Sequence, residues 1–398
     1  MGKRTIVTLP GDGIGRAVLD ETLRVLEAAG FDADYVEGDI GWEFWKKEGN
    51  PLPQRTIDLI KEHKIALFGA ITSKPKDAAA SELDPSLKDK GYVYSSPIVG
   101  LRQHFNLDIC MRPCHTYKGN PLNFIRRSAD GGVEEPEVDV VIFRQNTEGL
   151  YGGVEWSDPP QQVYDALMTH PKFVKNFGKT PKEEISVSTR IFTKKATERI
   201  LRAAFEHAKK YHYKSVTVCE KPNVIRETSG MMYKMAQEIQ KQDYPDIELW
   251  NTNIDAQMMW LTKNPEDYGV IVAGNMFGDI VSDGFAGLIG GLGFACSAQY
   301  NPDTGIGVFE PTHGSAPKYA DYPVSIVNPI AMIESACMML DFINENDMAA
   351  KIRKAIAEVV EEGKVRTYDM MKMRGTPDVI KKGAASTKEM ADAIIEKL

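Results

Sequence analysis

The residues best placed to do chemistry lie in YGVIVAGNMFGDIVSDGFAGLIGGLG, where an apolar run ends at Gly274 and two carboxylates follow, Asp279 and Asp283. Four residues apart on a helix, both would share one face with Cβ atoms about 5–6 Å apart. Like charges so placed repel. Beside the apolar GFAGLIGGLG they suit a cleft in which a divalent cation compensates them, and hard oxygen ligands suit Mg2+ or Mn2+. The same spacing also fits a helix N-terminal turn whose acids complement the dipole, and spacing alone leaves both readings open.

Three arginines form the second signal. Arg102 and Arg112 lie in GLRQHFNLDICMRPC, and Arg144 ends the apolar run VVIFR. The guanidinium fork binds planar anions bidentately, so an arginine at a strand end is a natural carboxylate or phosphate clamp. A surface salt bridge would explain any one of them. Three near apolar strand ends point to an anionic substrate, against a net charge of -8. Lys221 directly follows the run SVTVCE; burial or neighbouring cations could lower its pKa and make it a base, although most lysines so placed are solvated. The loop EPTHGSAPKYA surrounds His313 with small residues and turn formers. Such a loop can present backbone N–H groups to phosphates with Lys318 beside them, or be an ordinary surface turn.

Near the start, IVTLPGDGIGRAVLDETLRVL resembles the dinucleotide-binding G-x-G-x-x-G turn. Gly11 and Gly13 fit its first two places, but Arg16 takes the third and Gly15 is one residue early. Arginine cannot give the close helix–strand approach that the third glycine provides, so a Rossmann site is not expected here.

The elements that must position these groups alternate between strand-like and helix-like segments, the pattern of an α/β protein. TIVTLP reads as a strand and RAVLDETLRVLEAAG as a helix with Val18, Leu19, Leu23, Leu26 and Ala29 on one face, ended by Gly30. KIALFGA, VDVVIFR, SVTVCE and YGVIVAG are continuous apolar runs, as expected of strands covered on both faces. Helices dominate the last 70 or so residues. The polar stretch 74–95 reads as a long surface loop or flap, and the stretch from Trp156 to Glu184 as an arm without sustained periodicity.

The chain has 398 residues, 42% hydrophobic and 26% charged, enough for two sizeable cores. No basic face argues for nucleic acid, and no apolar stretch approaches the roughly 20 residues of a membrane span. The first residues run straight into a predicted strand, leaving no room for a signal peptide, and Ile6 stands where myristoylation of Gly2 wants Ser or Thr. A cytoplasmic protein is expected. The five cysteines are scattered, unlike a disulfide framework, and CMRPCH lacks a second cluster to complete a metal site.

With these pieces in order, the sequence resembles the β-decarboxylating dehydrogenases, which act on isocitrate, 3-isopropylmalate, homoisocitrate and tartrate. The resemblance rests on LRQHFNLDICMRP, FRQNTEGLYGGVEW, NTNIDAQMMWL, GNMFGDIVSD and EPTHGSAPKYA, in that order along the chain. It implies a non-Rossmann α/β fold of the isopropylmalate dehydrogenase type. A large domain would come from both chain ends (1–107 and 290–398), a small domain from 108–148 and 185–289, and a clasp-like arm from 149–184. By the same resemblance, Ser96, Arg102, Arg112 and Arg144 hold the substrate, Tyr151 and Lys221 are catalytic, and Asp255, Asp279 and Asp283 bind Mg2+ or Mn2+. Asp255 and Lys221 would reach in from the partner subunit, so a homodimer with shared active sites is implied.

NTEGLYGGVEW looks like the isocitrate branch. Lys318 and Tyr319 stand after HGSAP where NAD-using members usually carry Asp-Ile, which implies NADP, with NAD as the alternative. The implied cofactor residues are Thr72, Asn223, His313, Gly314, Lys318, Tyr319, Asn328, Tyr368 and Lys372. Lys372 replaces an arginine on the 2′-phosphate and keeps the charge without the fork. Ile98 replaces the asparagine that partners Ser96 on the third carboxylate of isocitrate, reminiscent of the branch whose substrate carries an alkyl group. A residue within 74–95 could supply the lost hydrogen bond.

Overall fold

The computed structural model describes residues 3–398, so Gly2 lies outside the described residues. One ten-stranded sheet runs through the molecule. Its strands, in chain order, are β1 (Arg4–Gly11), β2 (Ala33–Glu37), β3 (Ile65–Ala70), β4 (Ile109–His115), β5 (Asp139–Gln145), β6 (Ser215–Glu220), β7 (Glu248–Asn253), β8 (Val270–Ala273), β9 (Cys296–Asn301) and β10 (Ile306–Pro311). The spatial order is β7-β6-β8-β5-β4-β9-β10-β3-β1-β2. Two flanks are parallel: β2, β1, β3 and β10 at one end, and β5, β8, β6 and β7 at the other. Between them β10, β9, β4 and β5 pair antiparallel and join the flanks. The expected α/β fold is thus realised as one mixed sheet, with a flank built by the two chain ends and a flank built by the middle.

The apolar runs are buried because helices cover both faces, as parallel flanks require. Helix Ile330–Phe342 is buried throughout from Ile330 to Leu340, which explains why its sequence is apolar on every side. Helix Gly15–Ala29 ends at Gly30 in the left-handed conformation. Its buried face is Val18, Leu19, Thr22, Val25 and Leu26, whereas Leu23 and Ala29 are only half-buried. Gly15 provides the close approach expected of a third glycine: a Cβ there would overlap the Pro10 carbonyl and crowd β3 at Ala70. Arg16, in that third place, points outward to Glu37.

Two stretches differ from the sequence reading. The 74–95 flap is folded: it holds the helix Lys76–Ser81, and Ala79, Leu83 and Tyr94 pack with Trp42 and Trp45 in a small core of their own. Trp45 Nε1 donates to the Ala79 carbonyl at 2.9 Å, and Tyr94 Oη to that of Thr72 at 2.8 Å. A six-residue helix is too short for its periodicity to register, and its partners lie more than 30 residues upstream. The arm is a short ribbon, Glu155–Ser157 against Ser186–Ser188, carrying helices Gln161–Met168 and Pro171–Phe177. Neither helix buries a residue. Among the described residues no helix is long and apolar enough to cross a membrane.

Candidate active site

Side chains alternate across a strand, so the register decides which of them share a face. Gln299, Cys110 and Arg144 are cross-strand neighbours on β9, β4 and β5, and Arg112 lies two residues along β4 on the same face. Helix Asn275–Leu288 packs over that face and supplies the acids. Arg112 Nη1 donates to Ser282 Oγ at 2.8 Å and to Asp279 Oδ1 and Asp283 Oδ1, each at 3.2 Å. Arg144, 2% exposed, donates twice to Asn275 Oδ1, at 3.0 and 2.8 Å, and pairs with Asp279. Gly278 makes this fit possible, since a Cβ there would strike the Arg144 side chain. Arg102, from helix Pro97–His104, donates to Gln299 at 2.5 Å and reaches Glu310 at 3.5 Å.

The three arginines thus converge with Asp279 and Asp283, and Tyr151 lies over the group with its ring 5.7 Å from the Arg144 guanidinium. Burial, with Arg112 and Arg102 close by, pulls the Arg144 guanidinium down to about 10. The cluster is crowded with positive charge and suited to receive carboxylates. Burial beside Asp279 raises the Tyr151 phenol, which therefore holds its proton. Asn275, Ser282, Gln299 and Glu310 escaped the sequence reading. Asn275 opens the helix in GNMFGD and was there to be noticed; the other three become neighbours only through the fold.

Lys221 and Asp255 pair with each other instead. Lys221 follows the end of β6, Asp255 opens helix Ile254–Trp260, and Asn223 is exposed on the turn after Lys221. Asp255 does not join Asp279 and Asp283: among the described residues no group of three acids, histidines or cysteines could hold a metal. The donor set of one chain is two carboxylates one helical turn apart. That set fits a hard divalent cation and leaves it needing another ligand. Cys110 and Cys114 are buried free thiols.

The opening glycines belong to a third cluster. Gly11 and Gly13 have φ of +68° and +57°, and a Cβ on either would overlap the carbonyl of Ala70 or Ser315. Asp12, between them, accepts from the backbone N–H of Thr72 at 2.8 Å and of Trp42 at 2.7 Å. Thr72 and Ser315 share a hydrogen bond between their hydroxyls at 2.6 Å. PGDGIG therefore locks the strand end at Thr72 to the loop around His313. His313 Nε2 is buried without a partner, and Gly314 beside it is exposed. Beyond them Lys318 lies over the Tyr319 ring at 4.5 Å, and Tyr319 packs edge-on to Tyr368 at 5.7 Å. The hydrogen bond from Lys318 helps to bring the Tyr319 phenol below its usual range, with Tyr368 and Arg374 adding to the effect. An orphaned imidazole nitrogen and a tyrosine pair capped by the Lys318 ammonium fit a phosphorylated cofactor. Arg374, which the sequence reading missed, faces this cluster, and Gly375 packs on the Tyr319 hydroxyl. Lys372 is exposed on a turn with φ of +54°, and no partner is recorded for its ammonium among the described residues. Asn328 is buried, with its amide on Asp369 at 3.2 Å and its oxygen on the N–H of Ile330.

At the substrate end, Ser96 precedes helix Pro97–His104 and is half-buried. Ile98 is buried, 9% exposed, in a cluster with Val7, Leu9 and Phe68. Val99, one turn before Arg102, is the apolar residue left open, at 41%.

Comparison with known proteins adds the family. The model described as isocitrate/isopropylmalate dehydrogenase matches residues 5–394. Protein DlpA of Legionella pneumophila is 39% identical over 393 residues, 98% of this chain and 58% of that protein, so the chain spans a little over half of that relative. Homoisocitrate dehydrogenase of Methanocaldococcus jannaschii is 36% identical over 391 residues, covering 98% and 96% of the two chains. Among solved structures, isocitrate dehydrogenase from Methylococcus capsulatus superposes with a TM-score of 0.80 at 34% identity, covering 99% of both chains.

Proposed function

The chain belongs to the isocitrate/isopropylmalate dehydrogenase family, and within it we propose that it oxidises and decarboxylates isocitrate to 2-oxoglutarate and CO2 with NADP and Mg2+ or Mn2+. The observation that carries this reading is the convergence of Arg102, Arg112 and Arg144 with the Asp279–Asp283 pair beneath Tyr151. One site then holds clamps for several carboxylates, ligands for a metal and a proton donor.

In this reading the arginines bind and orient the substrate carboxylates bidentately. Asp279, Asp283 and the partner subunit's Asp255 would hold the cation, which acidifies the 2-hydroxyl and withdraws charge from the carbonyl it becomes. NADP, when bound, would supply the acceptor for the hydride of C2. The partner subunit's Lys221 accepts the hydroxyl proton, directly or through water. The bond from C3 to its carboxylate then breaks, CO2 leaves, and its electron pair forms the C2=C3 bond while the carbonyl pair moves to oxygen, giving an enolate. Tyr151 delivers a proton to C3. On the cofactor, Lys318, Tyr319, Tyr368 and Lys372, with Arg374 beside them, would take the 2′-phosphate, and Thr72, Asn223, His313, Gly314 and Asn328 the rest.

A homodimer is part of this proposal. Lys221 and Asp255 lie apart from the clamp, and Met259, Trp260 and Ile280 are exposed on the helices that carry the acids. A second substrate reading, a 2-hydroxy diacid with an alkyl group such as 3-isopropylmalate, or homoisocitrate, is favoured by Val99 alone. The test is an assay of isocitrate, homoisocitrate and 3-isopropylmalate with NAD and NADP, each with Mn2+ and with EDTA. The proposal expects isocitrate with NADP to be preferred and EDTA to abolish turnover. No activity on isocitrate overturns the substrate, and activity surviving EDTA overturns the metal.

A further inference from the structure

Behind the clamp, on the opposite face of the same strands, lies a cavity of about 700 Å³. The register that puts Gln299, Cys110 and Arg144 on one face puts Phe309, Ala298, Met111 and Phe143 in a row on the other, and this row floors the cavity. One wall is helix Lys194–Lys210, through Lys195, Arg199, Ala203, Glu206 and Lys210, which the 3.6-residue repeat places on one side. The other wall is the end of helix Ile330–Phe342, with Met338 and Phe342. The floor is apolar, and the volume lies in the range of small-molecule sites, roughly 300–1,000 Å³.

Charge around the opening selects the ligand. Three of its carboxylates are paired with arginines, Glu198 with Arg202, Asp303 with Arg199 and Asp341 with Arg353, while Glu206, one turn before Lys210, accepts from the Tyr244 hydroxyl and keeps its charge. Both arginines are matched in the same way, since Arg199 also meets Asp108 and Arg202 meets Asp243. Lys195 and Lys210 remain: both are exposed, and among the described residues neither has a carboxylate partner, Lys210 lying instead over the Tyr211 ring. An apolar trough with two ammonium groups free of ion pairs at its mouth can receive an apolar body ending in a carboxylate.

We infer that this cavity is a second binding site, separate from the active site, for an organic carboxylate with an aliphatic or aromatic body. The ligand lays its apolar part on Phe143, Met111 and Phe309 and turns its carboxylate to Lys195 and Lys210. The site is independent of which hydroxy acid the enzyme oxidises.

Isothermal titration of the full chain with sodium decanoate tests the inference without any turnover. Saturable one-to-one binding is expected with Kd on the order of 10–100 µM, from the affinity available to a dozen non-hydrogen atoms. Ala203→Trp fills the trough and should weaken binding at least about tenfold; Ala203→Met, a milder filling, carries the test if the tryptophan variant does not fold. Lys195→Gln combined with Lys210→Gln should weaken it about threefold to tenfold. Absence of saturable binding overturns the site. Undiminished binding in the folded Ala203 variants places the decanoate elsewhere, the arginine clamp included, and overturns it too. Undiminished binding in the double lysine variant overturns the carboxylate assignment.

Discussion

The arginine clamp and the Lys221–Asp255 pair stand in opposite conditions. In the clamp, Arg144 is almost wholly buried, Arg112 nearly so, and each is held by side chains from a helix more than 130 residues away in sequence. Lys221 and Asp255 meet near the surface, with the Asp255 side chain 68% exposed. The clamp is preorganised within one chain, and folding has already offset the cost of burying its charges. The pair is an exposed ion pair, of a kind worth less than about 1 kcal/mol, and in the proposed dimer its partners on the reaction path would lie outside the chain that carries it. In the proposed dimer, one region would position the substrate and the other would enter the neighbour's site.

Mutations can break that contrast or sharpen it. The largest effect is expected from Asp279→Asn, which removes a metal ligand and an Arg144 partner together: kcat/KM should fall about ten-thousandfold, and added Mn2+ should not restore it. Lys221→Met should lower kcat by about a thousandfold while the Tm stays unchanged, because the lost ion pair is exposed. Arg144→Met should lower kcat/KM about a hundredfold and also destabilise the fold by about 3 kcal/mol, because it strands buried partners. Equal Tm values for the two variants, read by calorimetry, would erase the distinction between the regions. A smaller effect is expected at the cofactor loop, where Lys318→Asp should shift the NADP over NAD ratio of kcat/KM toward NAD by at least about tenfold. The finest contrast is between neighbours: Ile98→Asn should cost about 3 kcal/mol of stability, and Val99→Asn less than about 1 kcal/mol. Only Val99→Asn should change the ratio of isocitrate to 3-isopropylmalate turnover in the folded enzyme.

What the sequence disclosed follows the same division. The strands could be read because parallel flanks demand continuous apolar runs, and Asp279 and Asp283 because a helix fixes the meaning of a four-residue spacing. The third glycine of PGDGIG was sought at Arg16, yet Gly15 gives the close approach from one residue earlier. The flap was opaque since its core residues, Trp42 and Trp45, come from another segment. Ile98 shows the limit of matching residues by position: beside Val99 on one helix turn, it packs inward, and only burial tells the two apart. Gln299 and Glu310 could be found by neither spacing nor motif, because the antiparallel joint of the sheet alone brings them to Arg102.

The central claim is that each active site combines the clamp of one chain with the Lys221–Asp255 pair of another. Asp279→Asn and Lys221→Met, each inactive alone, can be mixed, dissociated and reassociated before assay. If sites are shared across a two-fold dimer, half of the randomly formed dimers are hybrids with one intact site each, and about a quarter of wild-type activity returns. Activity no higher than that of the separate variants, in a mixture shown to contain hybrid dimers, would contradict the claim and place both halves of the chemistry within a single chain.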